Sequence, residues 1–263
     1  MSILDKIIEY KRKEVAERKA SLSLSALEKS SFFSRKPLSL KAALRDPDGT
    51  GIIAEFKRRS PSKGVINDKV SVVDVSGGYA AGGAAGLSVL TDRHFFGGED
   101  GDLVAARVNE IPILRKEFIV EEYQIVEARA IGADVILLIA ACLTPAEVHR
   151  LAVFARGLGL EVLLEIHNEE ELAHICEETE MVGVNNRDLK TFTVDIGRSI
   201  QLSRRIPAGK LLIAESGISG VQTILQMKEA GFDGFLIGES FMKAEDPGAA
   251  FRQFVGELRE LKR

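Results

Sequence analysis

Glu55 and Lys57 stand two residues apart where an apolar run passes into a basic loop, in GIIAEFKRRSPSKG (residues 51–64). In a strand, alternation puts Ile53, Glu55 and Lys57 on one face and Ile52, Ala54 and Phe56 on the other. An acid and an ammonium sharing a face can pass a proton to and from a substrate. The theme recurs down the chain. Lys116 closes IPILRKEF on the face of Pro112 and Leu114, and Glu165 follows Leu163 in LEVLLEIH. Asn185 and Arg187 end MVGVNNRDL, and Glu215 and Ser216 end LLIAESG. Left unpaired in a dry interior these charges would be costly; gathered at a mouth, they can pair with one another and bind a polar substrate. Crowding and desolvation there move a lysine down or a glutamate up into a range useful for proton transfer.

A second chemistry is anion binding. AESGISG and FLIGES place Gly217 and Gly238 after the last two apolar runs, and ESFMKA, from Glu239, can start a short helix. Exposed backbone N–H groups at such turns cradle phosphate. Ser60 and Lys57, in the first loop, can close the same anion site.

The elements that would gather these ends are short apolar runs alternating with helical stretches. Eight runs are strand candidates: GIIAEFK, GLSVLTD, IPILRKEF, ADVILLIAA, LEVLLEIH, MVGVNN, LLIAESG and FDGFLIGES. The intervening segments, among them PAEVHRLAVFARGLG, NEEELAHICEET and SGVQTILQMKEAG, space apolar residues by three and four, and several end in Gly. Such alternation implies parallel strands, and eight units predict a closed (β/α)8 TIM barrel, residues 51–263, with the charged set at its C-terminal mouth. The alternative, an open doubly wound sheet, usually carries GxGxxG or GxxxxGK[ST], and neither occurs here. Residues 1–50 read as a helical extension: Ile3, Leu4, Ile7, Ile8 and Lys11 fall at helical spacing, and a Ser-rich connection with a short helix follows.

Composition narrows the classes. A chain of 263 residues with net charge −4 and 45% hydrophobic residues is globular, and too acidic for a nucleic-acid surface. No apolar stretch of about 20 residues marks a membrane span. The acids Asp5, Glu9, Glu14 and Glu17 argue against a transit peptide. Cys142 and Cys176 read as reduced thiols of a cytoplasmic protein, and His94, His149, His167 and His174 show no metal-ligand spacing. No metal or cofactor is expected.

Read together, IIAEFKRRSPSKG, VLTDRHFFGG, PILRKEFIVEEYQI, EVLLEIHNEEEL, GVNNRDLKTF, IAESGI and FLIGESFM resemble the indole-3-glycerol phosphate synthase family, in order and over the whole barrel. The resemblance implies ring closure, decarboxylation and dehydration of 1-(2-carboxyphenylamino)-1-deoxyribulose 5-phosphate, without cofactor or metal. It implies that Lys116 is the general acid for ring closure and that Glu165 removes a proton and steadies positive charge on the anilino system. Lys57 would contact the substrate carboxylate and act in dehydration, with Glu55 orienting it. Asn185, Arg187, Glu215 and Ser216 would hold the substrate, Phe96 and Phe118 would wall the anthranilate ring, and Ser60, Gly217, Gly238 and Glu239 would form the phosphate region. The extension would cover the barrel mouth. A monofunctional monomer is expected, acting on a small phosphorylated molecule and on neither nucleic acid nor membrane. Glu239, an acid in a phosphate loop, and FFGGEDGDL depart from the family's usual pattern. Three other readings of the same barrel remain: a Schiff-base aldolase, a phosphate-binding isomerase or epimerase, and a non-catalytic binding module.

Overall fold

The computed structural model describes residues 2–188 and 192–261; Leu189, Lys190 and Thr191, from the GVNNRDLKTF stretch, lie outside the described residues. All eight apolar runs form strands: β1 (Ile52–Phe56), β2 (Gly86–Leu90), β3 (Ile113–Lys116), β4 (Val135–Ile139), β5 (Glu161–Ile166), β6 (Met181–Asn185), β7 (Leu211–Glu215) and β8 (Gly234–Ile237). They pair in parallel and close into a barrel in the order β1-β8-β7-β6-β5-β4-β3-β2. β1 completes the ring on both sides, with Ile53 opposite Leu236 and Glu55 opposite Ser88.

Alternation sorts each strand between two layers. Ile52, Ala54 and Phe56 join the outer core with Tyr79, Ile125, Leu151 and Phe251 from the surrounding helices. Ile53 joins Leu114, Leu137, Leu163, Met181, Ile213 and Leu236 in the barrel interior. Both faces of each strand are therefore buried, which is why the runs read as almost unbroken apolar sequence.

The helices are α1 (Ile3–Ser21), α2 (Leu24–Leu27), α3 (Leu40–Leu44), α4 (Val72–Ala81), α5 (Arg93–Phe96), α6 (Asp100–Ala106), α7 (Glu122–Ala130), α8 (Pro145–Gly157), α9 (Ile196–Ser203), α10 (Val221–Glu229), α11 (Glu239–Met242) and α12 (Pro247–Glu260). Local signals set their ends. α8 opens with Thr144 as N-cap, Pro145 in the first turn and Glu147 returning the bond, a combination that satisfies two otherwise orphaned N–H groups. One expected helix is missing: after β5 only Glu170–His174 winds, as a 3-10 turn. Asn168 accepts from the Glu171 N–H and donates to its carboxylate, while Glu171 also accepts from the His167 N–H. These local bonds compete with helix formation.

The extension divides between the two ends of the barrel. α3 plugs the N-terminal end, where Leu40 and Leu44 enter the inner cluster. Carboxylates at the strand starts fasten it: the Leu38 N–H donates to Asp134 and the Lys41 N–H to Glu161. Gly86 is required there, because a Cβ would lie 2.7 Å from Leu40 Cδ1. α1 lies at the other end. Its Lys11 is fully buried, with Nζ 2.6 Å from Glu14, 2.9 Å from Asp92 and 3.0 Å from Glu117. Burial alone would pull that ammonium down, but Glu117, Asp92 and Glu14 outweigh it and hold it charged.

Candidate active site

A cavity of about 440 Å³ opens at the C-terminal ends of the strands. It is lined by Glu55, Lys57, Ser60, Phe96, Lys116, Phe118, Glu165, Asn185, Arg187, Glu215, Ser216, Gly217, Gly238 and Glu239, so every candidate site residue from the sequence reaches one space. Ile3, Leu4 and Ile7 of α1 roof it.

At its floor Lys116, from the end of β3, stands between two carboxylates. Its Nζ lies 2.7 Å from Glu165 Oε2 and 3.0 Å from Glu215 Oε2. Glu165 is held on its other oxygen: Asn185 Nδ2 donates to Oε1 at 3.0 Å, and His167 Nε2 lies 3.1 Å from the same atom. Lys57 pairs with Glu55 Oε1 at 2.5 Å. Two small residues make room for these acids. A Cβ on Gly183, in mid β6, would fall 2.1 Å from Glu215 Oε1, and one on Gly238 would fall 2.7 Å from Glu55 Oε1.

The charges divide unequally. Burial would depress the Lys116 ammonium, yet Glu165, Glu215 and Glu55 hold it above its ordinary value. Burial would raise Glu165, but Lys116 and His167 overcome it and keep this carboxyl well below the usual range. Glu215 goes the other way. Burial, aided by the Glu165 charge, outweighs Lys116 and pushes it up to about 7. The floor thus carries a firmly protonated lysine, a firmly ionised glutamate and a second glutamate that titrates near neutrality. Such a set can donate a proton, steady a cation and take a proton back.

The rim divides into an apolar side and a charged side. Phe96 and Phe118 pack at 5.8 Å between ring centroids. Opposite, Glu239 opens α11, and its carboxylate sits among Lys243 at 2.6 Å, Arg187 at 3.5 Å and Lys63 at 4.0 Å. The acid that looked out of place in a phosphate loop is therefore matched by three cations. Ser216 and Gly217 both have positive φ, 67° and 71°; the former is a strained position for a non-glycine residue. The first loop folds into a small hairpin pairing Arg59 with Val65 and Ser60 with Gly64, which sets Ser60 at the rim.

Three features escaped the sequence reading. His167 shares the Glu165 face of β5 by simple alternation, a signal that was present. Lys11 falls at the helical spacing of Ile3, Leu4, Ile7 and Ile8, but nothing in the sequence names the acids it meets. Away from the cavity, His149, Cys176 and Glu178 bring ligand-type atoms within 4.8 Å of one another; the spacing along the chain hides this. There His149 Nδ1 lies 3.2 Å from Glu178, tying α8 to the β5–β6 connection. Among the described residues no helix is long and apolar enough to cross a membrane.

Comparison with known proteins agrees with this architecture. The family profile described as indole-3-glycerol phosphate synthase matches residues 4–254. A protein of that description from Bacteroides thetaiotaomicron is 46% identical over 258 residues, covering 98% of this chain and 99% of the relative. One from Salinibacter ruber is 44% identical over 265 residues, covering 99% and 98%. A tryptophan synthase alpha-subunit from Pyrococcus furiosus superposes with a TM-score of 0.61 at 16% identity, over 80% of this chain and 97% of that one, a likeness of fold. With the profile spanning nearly the whole barrel and these relatives aligned end to end, the chain belongs to the indole-3-glycerol phosphate synthase family.

Proposed function

We propose that the cavity converts 1-(2-carboxyphenylamino)-1-deoxyribulose 5-phosphate to indole-3-glycerol phosphate, carbon dioxide and water. The observation that carries this reading is Lys116 poised between Glu165 and Glu215 in the cavity at the barrel mouth. The anthranilate ring lies against Phe96 and Phe118. The phosphate takes the rim of Ser60, Gly217, Gly238 and Glu239, where Lys63, Arg187 and Lys243 supply positive charge that Glu239 holds in the free protein.

Lys116 donates its proton to the ketone oxygen while the ring carbon bearing the carboxylate attacks the carbonyl carbon. Its proton is tightly held against two acids and becomes available as the ammonium turns to the substrate, where the developing alkoxide takes it. Positive charge then builds on the anilino nitrogen, facing the ionised Glu165. Loss of carbon dioxide returns the bonding electrons to the ring. Lys57, set by Glu55, protonates the leaving hydroxyl, and Glu165 removes the proton from the adjacent carbon to complete the indole. Asn185, Arg187, Glu215 and Ser216 hold the chain of the sugar. No step in this reading calls on a metal or cofactor, and the reading takes the protein as a cytoplasmic monomer.

The test is indole fluorescence when the purified protein meets that substrate, beside Lys116→Met. Signal in the wild type and its loss by about 10²-fold or more in the variant is expected for a general acid. Equal signal in both removes the role given to Lys116. No signal from folded wild type removes the synthase reading and returns the barrel to isomerase or aldolase chemistry.

A further inference from the structure

His167 is the buried titratable group that touches the reacting centre's own carboxylate without reaching the cavity. Its ring lies between two acids. Nε2 is 3.1 Å from Glu165 Oε1, and Nδ1 is 3.2 Å from Glu171 Oε2. Glu171 is fixed from three sides, by the His167 N–H at 2.7 Å, by Asn168 Nδ2 at 2.9 Å and by the bond from its own N–H to Asn168 Oδ1. A neutral imidazole would turn a lone pair toward one of these carboxylates; only the ring protonated on both nitrogens suits both neighbours. The turn that replaces the expected helix after β5 exists around this carboxylate.

The contact also distinguishes the two oxygens of Glu165. Oε1 is held by Asn185 and faced by His167, while among the described residues Oε2 meets only Lys116, the group that the reaction draws away. We propose that His167, anchored by Glu171, is a positioning residue: as an imidazolium whose charge faces Oε1 of Glu165 at ion-pair distance, it keeps the carboxylate ionised and presenting Oε2 to the substrate. This rests on the proposed synthase reaction. Other groups around the ring are consistent with the charge state. The Cys142 thiol, on the turn after β4, is pushed up by burial and then by Glu165 and Glu171, so it stays neutral; Arg12 and Asp5 of α1 act on it more weakly. Lys116 faces the far oxygen of Glu165. Burial would lower His167, but the two glutamates raise it to about 9.

The experiment compares kcat against pH for wild type, His167→Gln and Glu171→Gln. Gln keeps a neutral donor of similar reach. At pH 7.5 the expected loss in His167→Gln is roughly tenfold in kcat, with KM within about twofold. The wild-type advantage then shrinks above pH 9, as the imidazolium is lost, and nearly vanishes by about pH 10. Glu171→Gln, which touches neither Glu165 nor the cavity, moves that alkaline loss down by about one pH unit. A purely structural role predicts the same fractional loss at every pH, and that outcome overturns the proposal. The ring of His167 in the free wild-type protein is followed in parallel by NMR, assigned by its absence in the Gln variant or, should that variant not fold, by its shift in Glu171→Gln. Protonation persisting past pH 8 is expected, and a midpoint below 7 overturns the proposal whatever the variants do. Absence of turnover in the wild type would remove the synthase reading alone, because the ring titration needs no substrate.

Discussion

Lys116 cannot satisfy Glu165 and Glu215 equally once both are buried. Glu165 has Asn185 as a hydrogen-bond donor and His167 at ion-pair distance, whereas among the described residues Glu215 Oε1 is buried with no hydrogen-bond partner. The charge settles on Glu165, and Glu215 is left near neutrality. This has a consequence for stability. Glu215 is raised from 4.5 to about 7 in the folded protein, so folding favours its protonated form. Its contribution is fully present below pH 4.5 and is lost as pH rises through about 7. Glu215→Gln mimics the protonated form at all pH. It should therefore raise stability at pH 8 by on the order of 1–3 kcal/mol, several degrees in Tm, with little change at pH 4.5 and a large loss of kcat. Thermal melts at the two pH values check this; an effect of equal size at both would show that Glu215 is ionised throughout. The site is then less stable than its sequence could be made, as expected where like charges are gathered for chemistry.

At the scale of elements, legibility followed burial. The eight strands were visible because each is buried on both faces and reads as a short apolar run. Their charged ends were visible because a lysine or glutamate after such a run is unexpected. What could not be read depends on partners distant in sequence. Lys11 occupies the spacing of a buried stripe, but only the fold brings Asp92 and Glu117 to it. The segment after β5 is a different case: it has helical periodicity, yet Glu171 is committed to His167 and Asn168, neighbours within one turn, and those local bonds displace the helix. The Lys11 contact makes α1 a fixed wall of the cavity. Asp92 caps α5, which carries Phe96, and Glu117 follows Lys116 directly. Lys11→Met strands both acids, which should cost about 3–5 kcal/mol. Hydrogen exchange would register the loss first in residues 3–21, with the barrel strands still protected. Unchanged exchange in α1 would mean that its other contacts, among them Arg18 with Glu127 and Lys19 with Glu121, suffice to hold it.

The whole molecule keeps its two ends apart in function. The charged side chains are gathered at the mouth, and the other end is closed by residues 38–44, with Leu40 and Leu44 packed into the inner cluster with Ile53 and Leu236. A close-packed, poorly compressible barrel interior would transmit strain from one end to the other, whereas layers that relax locally around a defect would confine it to the base. Leu40 decides between these. It is 1% exposed and sits against the start of β2, where Gly86 leaves it room. Leu40→Ala opens a cavity at the base and should cost about 2–5 kcal/mol of stability. If the layers confine the defect, kcat and KM at 25 °C stay within about twofold of wild type while Tm falls. A drop in kcat that tracks the loss of stability would show that the plug helps to set the strand ends that carry Lys116 and Glu165. The extension would then shape the site from below as well as from above.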